Sequence, residues 1–363
     1  MSFQDFIGNE PAVTNLRHML ANQRLPHAVI LAGAEGSGKY TLAQMMAKAL
    51  LCLNPTLKNG LANFCGDCAN CRSIAQAEDL EARFAEAVEA REAMREADKR
   101  ETRILLQTHA DVVIVPPDPP QMMIKVDQVR RVTESLGLLP SQGRKKVYIF
   151  TDSCFMKEAA NALLKALEEP PEFAHFFLLT SNPGELLATI RSRCITVQLA
   201  PLRSEEIESV LAERRPNLKS TQRSLVARLS AGACGKALTF NLESYIAVRQ
   251  EALALLAARN RQDHSTLFQA TEDYRSGAAG AERIQRLISV VYTLLQDLVY
   301  VKSGTPELVQ NSDILAQLQA LVAQSDFRWL TNAAAQLSAL ESGMRRNLLR
   351  PVALDAFALS LEA

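Results

Sequence analysis

The feature that most narrows what this chain can fold into is Gly33-Ala34-Glu35-Gly36-Ser37-Gly38-Lys39-Tyr40-Thr41, which stands directly behind the apolar run Ala28-Val29-Ile30-Leu31. An apolar strand, a glycine-rich turn and a helix together aim backbone N–H groups and the Lys39 ammonium at a polyphosphate, in the manner of a P-loop. Gly33, Gly36, Gly38 and Lys39 are thus expected to cradle ATP or ADP. The next position should carry a Ser or Thr hydroxyl for Mg²⁺, and Tyr40 stands there instead. Thr41 supplies a hydroxyl one residue later, but that helical position is turned by about 100°. The cradle reads as intact and the Mg²⁺ ligand as lost.

Two further strands read as buried. Lys146-Val147-Tyr148-Ile149-Phe150-Thr151 ends in Asp152, where an acid at a strand's C-terminal end would help to hold Mg²⁺. Hydrolysis would call for a Glu next, to polarise water, and Ser153 follows. His175-Phe176-Phe177-Leu178-Leu179 ends in Thr180-Ser181-Asn182, polar residues set to sense a γ-phosphate or simply to make the Asn182-Pro183 turn. Ile195-Thr196-Val197 is a last strand, and Asp111 to Val115 an earlier one. Helical spacing marks Ala12 to Leu20, Leu42 to Leu51, Ile124 to Leu139 and Asn161 to Glu169, the last stopped by Pro170-Pro171. His27 reads as a strand-edge residue. Strands alternating with helices from Ala28 to Val197 call for an α/β domain with a largely parallel sheet.

Cys52, Cys65, Cys68 and Cys71 are four of seven cysteines, with the last three at C-x2-C-x2-C. Short spacers turn successive sulfurs inward, so four thiolates can surround Zn²⁺ tetrahedrally in a closed, structural site. An iron–sulfur cluster is the other use of such spacing. From Ala75 to Arg103 the chain is Ala, Glu and Arg with Leu80, Phe84 and Val88 four apart, a solvated helix or helical hairpin supported by pairs such as Asp79 with Arg83. A spacer and a docking arm are equal readings of it.

At 363 residues, 48% of them hydrophobic, the chain calls for two or three domains. Forty basic residues balance forty acidic ones, so no global field draws it to nucleic acid or an anionic membrane. No run of eighteen apolar residues occurs and no basic-then-apolar leader opens the chain, so a cytoplasmic protein without a membrane partner is expected. From Pro201 the strands stop. Ser204 is placed to cap a helix that opens with Glu205 and Glu206, Ala231 to Leu238 forms a helix-to-helix turn, and everything beyond Glu243 is helical.

The order of Gly33 to Lys39, the four-cysteine module, Lys146 to Asp152, Asn161 to Pro171 and Thr189 to Cys194 resembles the clamp-loader AAA+ proteins of bacterial DNA polymerase III. The resemblance covers about residues 1–240, with support from Arg346-Asn347 and the leucine-rich end. It implies an AAA+ P-loop domain over 1–200, with a zinc module at 52–71 and a helical insertion at 75–106. A helical lid at 201–242 and a C-terminal helical collar for oligomerisation at 243–363 complete the implied organisation. The run Val147 to Ser153 is similar to the delta-prime branch of the family. The gamma/tau motors would show Asp-Glu there and Arg at the position of Gly235. The Ser192-Arg193-Cys194 triplet matches a family motif whose Arg projects into a neighbour's ATP site, which implies a catalytic role in trans for Arg193.

The resemblance therefore implies a non-hydrolysing component of the polymerase III holoenzyme, partnered by gamma/tau-like and delta-like subunits. Through the complex it would meet the sliding clamp and primed DNA. The alternative is a motor that hydrolyses ATP itself. A zinc finger reading DNA has no surrounding basic and aromatic cluster to support it. The chain departs from the family pattern in its 75–103 insertion, in His109-Ala110-Asp111 where the family tends to have His-Pro-Asp, and in the twelve residues between Cys52 and Cys65.

Overall fold

Alternating side chains along the strands decide the layers. In β1 (Ala28–Ala32), Val29 and Leu31 enter one apolar core while Ala28, Ile30 and Ala32 enter another, and all five residues are buried. The same division holds in β6 (Lys146–Phe150) and β7 (Ala174–Thr180), which are also buried throughout. Strands covered on both faces need helices on both sides, as in a parallel sheet. The computed structural model describes residues 2–142, 144–257 and 277–344 together with 354, 356, 357 and 360.

Six strands form the main sheet in the order β4-β5-β6-β7-β1-β8, with β4 (Leu106–His109), β5 (Val112–Val115) and β8 (Ile195–Gln198) completing it. Only the β4–β5 pair is antiparallel. One face is covered by α1 (Glu10–Ala21) and α2 (Lys39–Leu51), and the other by α6 (Val126–Leu136) and α7 (Lys157–Glu168). The α/β architecture with a largely parallel sheet is as the sequence led one to expect. Ile124 to Leu139 is helical over a shorter range, Val126–Leu136, because Gly137 caps its end.

The cysteine module contains a two-stranded hairpin, β2 (Thr56–Lys58) with β3 (Leu61–Asn63), and then α3 (Ala69–Ala75). The insertion that follows is two helices, α4 (Leu80–Glu92) and α5 (Glu96–Glu101). It ends before Leu106, which is already in β4. The expected Asp79–Arg83 pair does not form. The Asp79 carboxylate instead accepts the Ala82 N–H at 3.0 Å as the α4 N-cap, and Arg83 pairs with Glu86.

This insertion is docked rather than free. Leu80, Phe84 and Val88 pack on the core. Beyond them Arg91, itself buried, reaches Asp118 at 2.9 Å in the proline-rich loop. Asp118 is fully buried, lies 3.1 Å from the Lys125 ammonium and accepts the Ile104 N–H at 3.1 Å.

The chain divides into two compact units, one of Met1–Leu202 with Gly232–Lys236 and one of Arg203–Ala231 with Ala237–Ala363. Described elements of the second are helical: α9 (Ser204–Arg214), α10 (Ser220–Leu229), α11 (Cys234–Thr239, its first turn in the first unit), α12 (Leu242–Ala257), α13 (Gly277–Lys302), α14 (Leu315–Ala323) and α15 (Phe327–Met344). Ser204 is the first residue of α9 and not its cap. Arg203 takes the cap position, and its N–H is held by the Glu206 carboxylate at 2.8 Å.

The expected apolar positions Leu253, Leu256, Ile288, Val291, Leu294, Leu337 and Leu340 share one buried core. Leu354 and Phe357 join it, while Arg346-Asn347 and most of 352–361 lie outside the described residues. Arg283–Lys302 is long and apolar enough to cross a membrane by length and composition, yet half of it is buried in the bundle. Its fully buried Asp297 accepts N–H groups from Gln310 at 2.7 Å and Asn311 at 3.0 Å. A carboxylate satisfied in this way belongs in a protein core.

Candidate nucleotide site and metal centre

The loop after β1 has the expected strand–turn–helix form. The Gly33 N–H donates to Thr180 O at 3.1 Å and the Leu199 N–H to Ala32 O at 2.7 Å, so the strand end is pinned between β7 and β8. Helix α2 then starts at Lys39 behind Gly38. The lysine, however, is turned inward. Its ammonium donates to Gly33 O at 2.7 Å and Ala34 O at 2.8 Å, both carbonyls of its own loop. Burial lowers its pKa, and Glu35 and Asp152 act against that shift.

The segment 232–236 covers the loop. The Gly235 N–H donates to Gly36 O at 2.8 Å, backbone against backbone. A Cβ at Gly235 would stand 2.8 Å from that same oxygen, and one at Gly36 would stand 2.7 Å from the Lys236 nitrogen. Gly36 also has φ +74°, a left-handed conformation that side chains resist. Any side chain at 235, an arginine included, would require the Gly36 backbone or this segment to shift.

Tyr40 faces away from the cradle. Its hydroxyl donates to Ala77 O at 2.5 Å and accepts from Gln44 Nε2 at 2.7 Å, and burial pushes its pKa up. The side chain in the usual metal-ligand position thus ties α2 to the turn that leads into the insertion, where Lys48 also pairs with Glu78. Thr41 is half-buried in the first turn of α2.

Asp152 accepts the Cys154 N–H at 2.9 Å. The Ser153 hydroxyl donates to Glu185 Oε2 at 3.0 Å and accepts from Thr180 Oγ1 at 2.9 Å, while Thr180 Oγ1 accepts the Asn182 N–H at 3.0 Å. Asn182 Oδ1 takes the Gly184 N–H at 2.9 Å, which is the turn reading of Asn182-Pro183. Glu185 was not singled out by sequence, since a Pro-Gly-Glu turn carries no signal for it. His27 stacks on His175 at 5.6 Å, at the opposite end of the sheet from the loop.

Arg193 follows the short helix α8 (Ala188–Arg191). Its Nη2 donates to Glu168 Oε1 at 2.7 Å and its Nη1 to Thr189 O at 2.9 Å, with about a third of the side chain exposed. Arg191 is exposed and makes no side-chain bond among the described residues. The geometry thus distinguishes the anchored Arg193 from Arg191. In the sequence Glu168 carries no signal beyond its place in the helix ended by Pro170-Pro171.

The four module cysteines do converge. The ligand atoms of Cys52, Cys65, Cys68 and Cys71 all lie within 4.8 Å of one another, against about 3.8 Å between sulfurs in a tetrahedral zinc site with 2.3 Å bonds. Local backbone prepares them for charge. N–H groups of Cys65, Cys68 and Cys71 point at the sulfurs of Cys52, Cys65 and Cys68 at 3.3, 3.4 and 3.5 Å. For Cys68, burial raises the pKa, but N–H bonds from Cys71 and Leu53 outweigh it and bring the thiol down to about 6. Elements α2, α3 and the β2–β3 hairpin supply the frame, with Cys52 capping α2 and Cys68 capping α3. The donor set fits a thiophilic metal such as zinc, and Cys154, Cys194 and Cys234 lie outside this cluster.

A family model described as DNA polymerase III, delta subunit matches residues 8–203. The DNA polymerase III subunit delta' of Escherichia coli K12 is 30% identical over 297 residues, covering 79% of this chain and 74% of that protein. The subunit delta' of Bacillus subtilis 168 is 24% identical over 347 residues, covering 95% and 93%. The subunit tau of Escherichia coli K12 is 32% identical over 244 residues, which is 66% of this chain but 32% of tau. Against the tau relatives as a group, the chain spans between 25% and 40% of their length. With the family model over more than half of its length and a delta' subunit matched over three quarters of its own, this chain belongs to the clamp-loader family of DNA polymerase III subunits.

Proposed function

We propose that this chain is a delta'-like stator of the clamp loader, a subunit that does not hydrolyse ATP and serves the ATP sites of its neighbours. The observation that carries this reading is the state of the phosphate loop. Its lysine is spent on Gly33 and Ala34 carbonyls, and the Gly235 backbone closes over Gly36. A nucleotide held by Gly33, Gly36, Gly38 and Lys39 would have to displace both. Tyr40 offers no hydroxyl to Mg²⁺ beside Asp152, and Ser153 offers no general base.

In this reading Arg193 is the catalytic contribution. A guanidinium placed against a neighbour's γ-phosphate stabilises the charge that builds there, an effect worth on the order of 10³ to 10⁵ in rate in well-studied systems. The helices of 201–242 act as a lid, and those of 243–363 as a collar that joins tau/gamma-like and delta-like subunits. The assembled ring then opens a sliding clamp and sets it on primed DNA. Zinc held by Cys52, Cys65, Cys68 and Cys71 is structural, since four thiolates leave no open position.

Steady-state ATPase of the purified chain with primed DNA is expected at background, and turnover comparable to a tau-type subunit would favour the motor alternative instead. Arg193→Ala is expected to lower ATP turnover of the reconstituted loader while assembly stays intact. An unchanged rate removes the in-trans role.

A further inference from the structure

We propose that Glu168 is the positioning residue for Arg193: it holds the guanidinium in the orientation that a neighbour's ATP requires. This rests on the in-trans role of Arg193 proposed above. The arginine is gripped at two of its three nitrogens, Nη2 by the Glu168 carboxylate at 2.7 Å and Nη1 by Thr189 O at 2.9 Å, with Ser192 Oγ a further 3.4 Å from Nη1. The Nε–H makes no bond among the described residues. An anchored, still solvent-reachable fork can offer donors to a phosphate without first losing its own rotamer freedom.

The site of the carboxylate argues in the same direction. Glu168 is the last residue of α7, where the negative end of the helix dipole disfavours an acid. As an exposed pair, 34% and 48% by side chain, the contact adds little to folding. Its effect is therefore on where the guanidinium points. Arg191, two residues away and also exposed, shows how an arginine of this segment behaves without such a grip: its side chain makes no bond among the described residues. Pro170-Pro171, just behind, ends the helix, so Glu168 is itself held on a rigid terminus.

The test uses the loader reconstituted from this chain with tau/gamma-type and delta-type subunits, with ATP and primed DNA. The quantity read is the Arg193-dependent turnover, the part of kcat that Arg193→Ala removes. Glu168→Ala is expected to cut that part about tenfold with KM for ATP and assembly unchanged. Glu168→Lys, which repels the guanidinium, should cut it at least as far, and either variant decides the matter if the other fails to assemble. Glu168→Gln keeps an acceptor oxygen at the same reach and should restore most of it. Glu168→Ala with Arg193→Ala together should match Arg193→Ala alone. Full Arg193-dependent turnover in Glu168→Ala or Glu168→Lys overturns the positioning role and leaves that of Arg193 standing. Full turnover in Arg193→Ala overturns both.

Discussion

Asp118→Ala isolates what holds the insertion to the core. The carboxylate has no exposed surface and faces three cations, Arg91 at 2.9 Å, Lys125 at 3.1 Å and Arg103 at 3.9 Å, besides accepting the Ile104 N–H. Removing one partner of a buried pair costs about 3–5 kcal/mol, because the other charge stays buried and uncompensated. Here Arg91 is the charge so trapped, with 8% of its side chain exposed. Arg103 and Lys125, at 20% and 13%, can turn partly to water, so the lower end of the range applies. A loss of about 3 kcal/mol corresponds to a shift of about 1 M or more in the urea midpoint of the first unit. Limited proteolysis should then cut first within 80–101. Pairing Asp118→Leu with Arg91→Met should recover most of the loss, since the uncompensated charge goes too. A midpoint shift below about 0.3 M for Asp118→Ala, with unchanged proteolysis, would refute the argument that this cluster docks the insertion.

Three other outcomes follow from the same geometry. Gly36→Ala should lower the melting temperature clearly more than Gly60→Ala: both have positive φ, but only at Gly36 does the added methyl meet a backbone nitrogen at 2.7 Å, while Gly60 faces open space. Metal analysis should find one zinc per chain and none in Cys68→Ser, and chelation should speed amide exchange in the hairpin 56–63. Iron in place of zinc would return the cysteines to the cluster reading. His175 is brought down to about 4, first by burial and then by Lys145 and His27, against the Pro26 carbonyl bond that raises it. The unfolded chain therefore takes up a proton below pH 6.5 that the folded chain refuses until about 4. Stability from this group is full above 6.5 and falls by about 2–3 kcal/mol as pH drops to 4, and His175→Phe should flatten that slope in urea titrations.

The sequence by itself determined the layers and the composition of the site. Unbroken apolar runs in Ala28 to Leu31 and in Val147 to Phe150, with helical spacing between, were enough for a two-sided parallel sheet, because a strand apolar on both faces needs an apolar partner on each. The cysteine spacing was equally legible, since C-x2-C-x2-C constrains local backbone directly. Glycines and Lys39 announced a phosphate loop, and the loop has that form.

Only the tertiary structure decided where those groups point and what they touch. The short strands β2, β3 and β4 are not legible because three or four residues of mixed polarity carry too little pattern, and they form only with a partner strand beside them. Asp79 looked like a salt-bridge partner and became a cap, since a free N–H at a helix start outcompetes an exposed charge. Lys39 on its own loop, Gly235 over Gly36, Tyr40 on Ala77 and Glu168 on Arg193 join residues up to 199 positions apart in the chain. No local spacing encodes such meetings. They arise only in the folded chain, and those of Lys39 turn the loop's ammonium inward on its own carbonyls.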